Sequence, residues 1–305
     1  MSAEVEFSAL CERRILPGKQ SSALIERRYR AWMDDGVELG DRILAPQAER
    51  GSKSGTARRK MSIRENVARV QERMESACRR AGRRAEEVHL VAVSKTVLPE
   101  RIHEAYDTGL RHFGENRVQE AQAKRPALAD LPITWHLIGH LQSNKAKGAR
   151  EIFDWVHSVD SPHIAERLDR AGQSSTCQPS GPAPGPPGSD MLVRLPVLIE
   201  VNLGGEVTKS GVAESAALEL ARHIGRLRTI DLCGLMLVPP YFEDPEKSRP
   251  YFSRLRELAK VINSAGLPGV RMDELSMGMS HDFEVAIEEG ATLIRVGTAI
   301  FGSRT

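Results

Sequence analysis

Residues 88–96 read VHLVAVSKT, a short apolar run that stops on a lysine. Such a run, rich in valine and lacking polar alternation, fits a strand covered on both faces, where neither row of side chains meets water. Pro99 and Gly109 bracket the next segment, with proline near a helix start and glycine at its exit. The same alternation recurs along the chain. Strand-like stretches fall at 112–117, 134–140, 154–160, 196–203, 230–238, 271–277 and 291–297. Helical stretches lie between them at 118–129, 143–152, 162–171, 212–227, 246–265 and 281–289. Eight strands alternating with helices over about 250 residues is the pattern of a (β/α)8 TIM barrel. The competing α/β architecture, an open doubly wound sheet, wants a glycine-rich phosphate turn after its first strand. Ser94-Lys95-Thr96 offers no glycine there, so the closed barrel is the better reading.

Upstream, Ser62-Ile63-Arg64-Glu65 is a capping box, and Ile63, Val67, Val70, Met74 and Ala77 follow at helical spacing until Gly82. One barrel domain with an extra helix in front therefore spans residues 61–305. Residues 1–60 show irregular hydrophobicity and basic clusters such as Arg58-Arg59-Lys60. They read as a disordered extension or as an over-long gene start, with Met61 the native initiator. The Ser-, Gly- and Pro-rich stretch at 172–190 reads as a disordered surface insertion, because it cannot repay the entropy of ordering.

Charge and cysteine usage narrow the function classes. Residues 1–60 hold 12 Lys+Arg against 9 Asp+Glu, and the remainder 31 against 32, so the body of the chain is near neutral. Nucleic-acid binding would want a basic stripe on the folded domain. No apolar run approaches the roughly 20 residues that cross a bilayer. Acidic residues near the start, such as Glu4 and Glu6, speak against a transit peptide. Cys11, Cys78, Cys177 and Cys233 are scattered, without disulfide density or zinc-ligand spacing. The expectation is a cytoplasmic protein with no membrane, nucleic-acid or metal partner.

Barrel active sites gather at the C-terminal ends of the strands. Lys95 ends the first. Desolvation at the mouth lowers a lysine from its usual pKa of about 10.4 and leaves an amine able to attack a carbonyl. The alternative is a lysine reaching back to water from a strand end. Ser276, Gly278 and Ser280 end the seventh strand, just before a helix, and Gly297-Thr298 end the eighth. Loops in these two places often bind phosphate, although small turn residues also occur there for no such reason. Arg295 shares the face of Gly297 and points into the barrel, where it needs a partner or a ligand. Asn116 ends the second strand, as a ring-orienting group or a structural amide. Met236 ends the sixth. His136 and His140 share the spacing of a metalloprotease helix, but Leu137 replaces its general base and the segment reads as a strand. One of the pair lies near a cofactor, or simply bonds in the core.

Together these residues resemble the family of pyridoxal-phosphate homeostasis proteins, single-domain relatives of the alanine racemase barrel. The resemblance covers residues 61–305. It is carried by VAVSKT (91–96), HFGEN (112–116), WHLIGHLQSNK (135–145), EVN (200–202) with Lys209-Ser210-Gly211, GLM (234–236), LSMGMS (275–280) and IRVGTAIFG (294–302). It implies an alanine racemase N-terminal-like barrel holding pyridoxal 5′-phosphate as a Schiff base on Lys95. It further implies that Arg295 faces the pyridine nitrogen, that Ser276 to Ser280 and Gly297-Thr298 hold the phosphate, and that Asn116, His140 and Met236 line the pocket. The family binds the cofactor and hands it on without catalysis, pyridoxal-phosphate-dependent apo-enzymes being the recipients, and a barrel without an added domain is expected to stand as a monomer. Two other functions compete. A racemase needs a second domain, and the sequence stops at Thr305, soon after the eighth strand. A Schiff-base aldolase on a phosphorylated sugar needs a proton-transfer group, and Glu115 or Glu200 supplies a carboxylate.

Overall fold

The computed structural model describes residues 61–174, 194–204 and 210–302. The expected extension at 1–60, most of the insertion at 172–190, and Lys209 lie outside the described residues. Of the insertion, residues 172–174 are helical and continue the preceding helix past the expected 171.

The eight expected strands are present: β1 (His89–Val93), β2 (His112–Glu115), β3 (Thr134–Leu137), β4 (Trp155–Val159), β5 (Leu195–Asn202), β7 (Ile230–Met236), β8 (Val270–Met279) and β9 (Leu293–Val296). A two-residue strand, β6 (Val212–Ala213), pairs alongside the end of β5 and was not expected. It shortens the following helix, which starts at 214 rather than 212. All pairings are parallel, in the order β4-β3-β2-β1-β9-β8-β7-β5, and a β4–β5 pairing closes the ring. Helices alternate with the strands: α2 (Pro99–Tyr106), α3 (Val118–Lys124), α4 (Ala146–Ile152), α5 (Pro162–Ser174), α6 (Glu214–Ile224), α7 (Arg249–Ser264), α8 (Phe283–Glu288) and a single turn, α9 (Thr298–Phe301). This is an alanine-racemase-like (β/α)8 barrel.

The leading helix, α1 (Ile63–Arg80), begins with the reciprocal cap that its sequence predicts. Glu65 N donates to Ser62 Oγ (3.2 Å), and Ser62 N donates to Glu65 Oε2 (2.8 Å). Its apolar stripe of Ile63, Val67, Val70 and Ala77 is buried. α1 packs against α8, α9 and α2. It thus fills the place in the outer ring that a long helix after the last strand would take. Asn66 Nδ2 donates to Ile300 O (2.9 Å), and Arg73 forks onto Glu284 (3.1 and 2.6 Å).

The large apolar core lies between the strands and this helical ring, while the barrel interior holds only a small cluster of Val91, Leu198, Cys233, Met236 and Leu293. Barrel interiors are usually filled by layers of branched aliphatic residues. Here polar side chains occupy much of that space.

Candidate cofactor-binding site

Strand parity decides which residues reach the interior. On β1 the inward row is His89, Val91 and Val93, and Lys95 follows two residues later. On β9 it is Leu293, Arg295 and then Gly297. Val91 pairs with Arg295, and a Cβ on Gly297 would lie 3.3 Å from that of Val93. Lys95, half-buried, therefore leaves its strand next to the one that supplies Arg295 and Gly297.

Arg295 is 4% exposed. It donates to Ser276 Oγ (2.6 Å) and Leu237 O (2.9 Å), both neutral acceptors. Burial draws its pKa down to about 10, with Glu200 and Asp282 acting in the opposite direction, so it stays charged at neutral pH. Ser276 is one of the residues that the sequence suggested for holding phosphate. Three residues before the end of β8, it lies fully inside the barrel, with its hydroxyl shared by Arg295 and His157.

Behind Ser276 runs a column of imidazoles. His157 Nδ1 lies 2.9 Å from Ser276 Oγ, His136 Nδ1 2.9 Å from His157 Nε2, and His112 Nδ1 2.9 Å from His136 Nε2. The His89 ring lies beyond His112, tilted against it with centroids 5.1 Å apart. A guanidinium only donates, so Ser276 accepts from Arg295 and has its own proton for His157 Nδ1. That assignment makes each imidazole in turn the Nε2–H tautomer. The column is uncharged. Burial first, then the neighbouring imidazoles and, at His157, the Arg295 charge, hold His136 and His157 well below the usual histidine range, and burial brings His112 to about 4. The sequence reading singled out His136 and allowed it a core hydrogen bond, which it makes. It missed His112 and His157. The available signal was a polar ring at inward parity on three neighbouring strands, which takes meaning only once the register is known.

The ends of β8 and β9 come together as expected. Ser280 Oγ accepts from Gly297 N (3.2 Å) and Ala299 N (3.4 Å). Gly278 adopts φ +89°, and a Cβ there would come within 2.9 Å of Phe283 Cα. Asp282 Oδ1 accepts from Met279 N (2.7 Å) and ties the loop. Thr298 is exposed at the start of α9. Of the remaining expected residues, Met236 is buried in the inner cluster. Asn116 is half-buried, and Gly139 lets the next strand's loop pass against its backbone, 2.8 Å from Asn116 Cα to a Cβ on Gly139. His140 is exposed, with Nδ1 3.2 Å from Asp160 Oδ2.

The two carboxylates separate. Glu115 points outward, between the barrel and α3, and is fully buried. Glu200 shares the inward row of β5 with Leu198. Burial, then Asp160, pushes it up to about 7 against the pull of Arg295, and its Oε2 has no hydrogen-bond partner among the described residues.

Residues 62–305 match the family described as alanine racemase, N-terminal domain. A pyridoxal phosphate homeostasis protein of Aquifex aeolicus is 45% identical over 245 residues, covering 80% of this chain and 99% of the relative. The chain belongs to the pyridoxal phosphate homeostasis protein family. Among solved structures, PipY of Synechococcus elongatus with pyridoxal phosphate bound is 38% identical, with a TM-score of 0.65, and is matched over 79% of this chain and all of PipY. An alanine racemase of Clostridium difficile matches at 12% identity and TM-score 0.60 over 57% of its length, a likeness of fold alone.

Proposed function

We propose that this family member binds pyridoxal 5′-phosphate as a Schiff base on Lys95 and holds it without catalysing a reaction of its own, acting in pyridoxal phosphate homeostasis. The observation that carries the reading is the adjacency of β1 and β9, by which the strand leading to Lys95 runs beside the strand that carries buried Arg295 and the glycine of the Gly297-Thr298 turn. The residues present suit the cofactor. Gly278 and Gly297 leave backbone bare beside Ser280, and among the described residues Arg295 has only neutral hydrogen-bond acceptors and Glu200 Oε2 is unmatched. When bound, the cofactor supplies an aldehyde for an amine and a phosphate for a loop.

The chain's own groups divide the work. The Lys95 amine makes the covalent attachment. Gly278, Ser280, Gly297 and Thr298 hold the phosphate, while Asn116, His140 and Met236 line the pocket. Arg295 faces the pyridine nitrogen and donates to it. Fixed in place by Ser276 and Leu237 and always charged, it does not pass a proton to that nitrogen, which weakens the ring as an electron sink. Such a site favours carrying the cofactor over using it. The protein acts as a monomer and passes the cofactor to dependent apo-enzymes. The outward turn of Glu115 also removes one of the two candidates for the single proton-transfer carboxylate of an aldolase.

The visible spectrum with added pyridoxal phosphate tests the attachment. Wild type should gain a band that Lys95→Ala lacks. Sustained racemisation of an amino acid by the loaded protein would overturn the carrier half of the reading.

A further inference from the structure

Lys95 stands on a strained turn. Val97 N donates to Ser94 O (2.9 Å), closing a four-residue reversal with Lys95 and Thr96 at its corners. Thr96 has φ +61° and is the one non-glycine residue with positive φ among the described residues. A β-branched side chain is poorly suited to that region, where glycine or asparagine is usual. Such a conformation persists only where the surroundings over-determine it.

The surroundings here are a buried charge cluster that the proposed site does not use. Lys124 Nζ donates to Ser94 O (2.8 Å) and to Glu115 Oε1 (2.7 Å), and it lies 4.0 Å from Glu120 Oε2. Ser94 Oγ donates to Glu115 Oε1 (2.7 Å), and Thr96 N donates to Glu120 Oε2 (3.2 Å). The Lys124 and Glu115 side chains are fully buried, and that of Glu120 is 7% exposed. The residues before and after Lys95 are thus each fastened by one arm of the cluster, from the outer side of the barrel. A buried ion pair is weak support for stability, since apolar side chains of similar size often serve as well or better. Glu115 Oε2 even lacks a hydrogen-bond partner among the described residues, and burial pushes the Glu115 carboxyl upward. Stability alone does not account for three ionisable groups under one turn.

We propose that Glu115, Lys124 and Glu120 are positioning residues for Lys95. They lock the strained turn so that the amine is held at a fixed height and direction over the barrel mouth. This inference rests on the reading of Lys95 as the cofactor's attachment point, and it adds that the attachment is tuned from the far side of the strand.

The test uses the full chain loaded with pyridoxal phosphate, with methoxyamine added to capture the aldehyde and decay of the visible band as the readout. Glu120→Ala removes the acceptor of Thr96 N–H and should speed capture by at least roughly fivefold, the scale of one unmet amide. Glu120→Gln keeps an acceptor and should restore the rate to within about twofold, a contrast in hydrogen bonding rather than in charge. Lys124→Met should be as fast as Glu120→Ala or faster. Equal rates for Glu120→Ala and wild type, in folded protein, would overturn the proposal whether or not Lys124→Met folds. No band in wild type would instead sink the reading of Lys95 as the cofactor lysine. The positioning claim would then be read from the NMR signal of ¹³C-methylated Lys95, identified by its absence in Lys95→Ala. That signal must move in Glu120→Ala and return in Glu120→Gln; an unmoved signal overturns the claim.

Discussion

Single residues in this barrel carry opposing demands that can be measured one at a time. Thr96 holds φ +61°, a conformation that disfavours an L-residue with a Cβ by about 1–2 kcal/mol. Thr96→Gly should therefore raise the free energy of unfolding slightly, by up to about 1 kcal/mol once the greater freedom of unfolded glycine is subtracted, seen as a higher urea midpoint. A clear loss of stability would mean that the Thr side chain makes a contact worth more than the strain. Glu200 gives a pH signature. Its folded pKa of about 7 lies above the ordinary carboxylate value, so the unfolded chain ionises first. Its burial therefore does no harm below about pH 4.5, and it lowers stability progressively as pH rises to 7. Glu200→Gln should gain on wild type across that window, by about 2 kcal/mol at pH 8 after allowing for partial exposure. Unfolding by urea at pH 5 and pH 8 checks it, and an equal difference at both pH values would contradict it. The buried imidazoles act in the other direction, since their folded pKa values are depressed and stability falls as pH drops below about 6.5. Lys95 and Arg295 were legible as residues because strand ends and parity single them out. The imidazole column was not, because a histidine in an apolar strand gives no sign of which neighbour it will meet.

At the scale of elements, the reading of the chain succeeded where one local cause dominates. Strands buried on both faces announce themselves as apolar runs, and β1 and β5 fall within a residue or two of their expected bounds. α1 was set by its capping box and its apolar stripe. What escaped depends on pairing rather than pattern. The two residues of β6 are a strand only because Val201 and Asn202 of β5 lie alongside. The β8 pairings shift register on both sides, which carries that strand to Met279, beyond the expected 277. α9, one turn long, has too few residues to show a period. Two predictions belong here. Ser62→Ala should cost about 1 kcal/mol, the usual worth of an N-cap, seen as a lower melting temperature with the cofactor spectrum unchanged. Gly278→Ala should weaken retention of added pyridoxal phosphate. It combines an unfavourable φ of +89° with a Cβ 2.9 Å from Phe283 Cα, in the turn proposed to hold the phosphate. Retention equal to wild type by equilibrium dialysis would take that turn out of the site.

For the molecule as a whole, the barrel's two ends present different parts of the chain. Lys95, Ser280 and Gly297 follow strands and stand at the mouth. Ser174 and Arg194, which flank the proline-rich stretch, end α5 and precede β5, and so stand at the opposite end. Deleting residues 176–192 should therefore leave pyridoxal phosphate binding as it is, and so should starting the chain at Met61, one residue before the family match begins. The interior between the two ends combines a small apolar cluster with a hydrogen-bonded polar column that terminates on Arg295. At the mouth, Lys95 is the proposed point of covalent attachment. The most direct measurement is borohydride reduction of the protein with pyridoxal phosphate, followed by peptide mass spectrometry. A reduced pyridoxyl-phosphate adduct is expected on the peptide that contains Lys95, absent in Lys95→Ala. An adduct confined to another lysine, or none on any peptide, would contradict it.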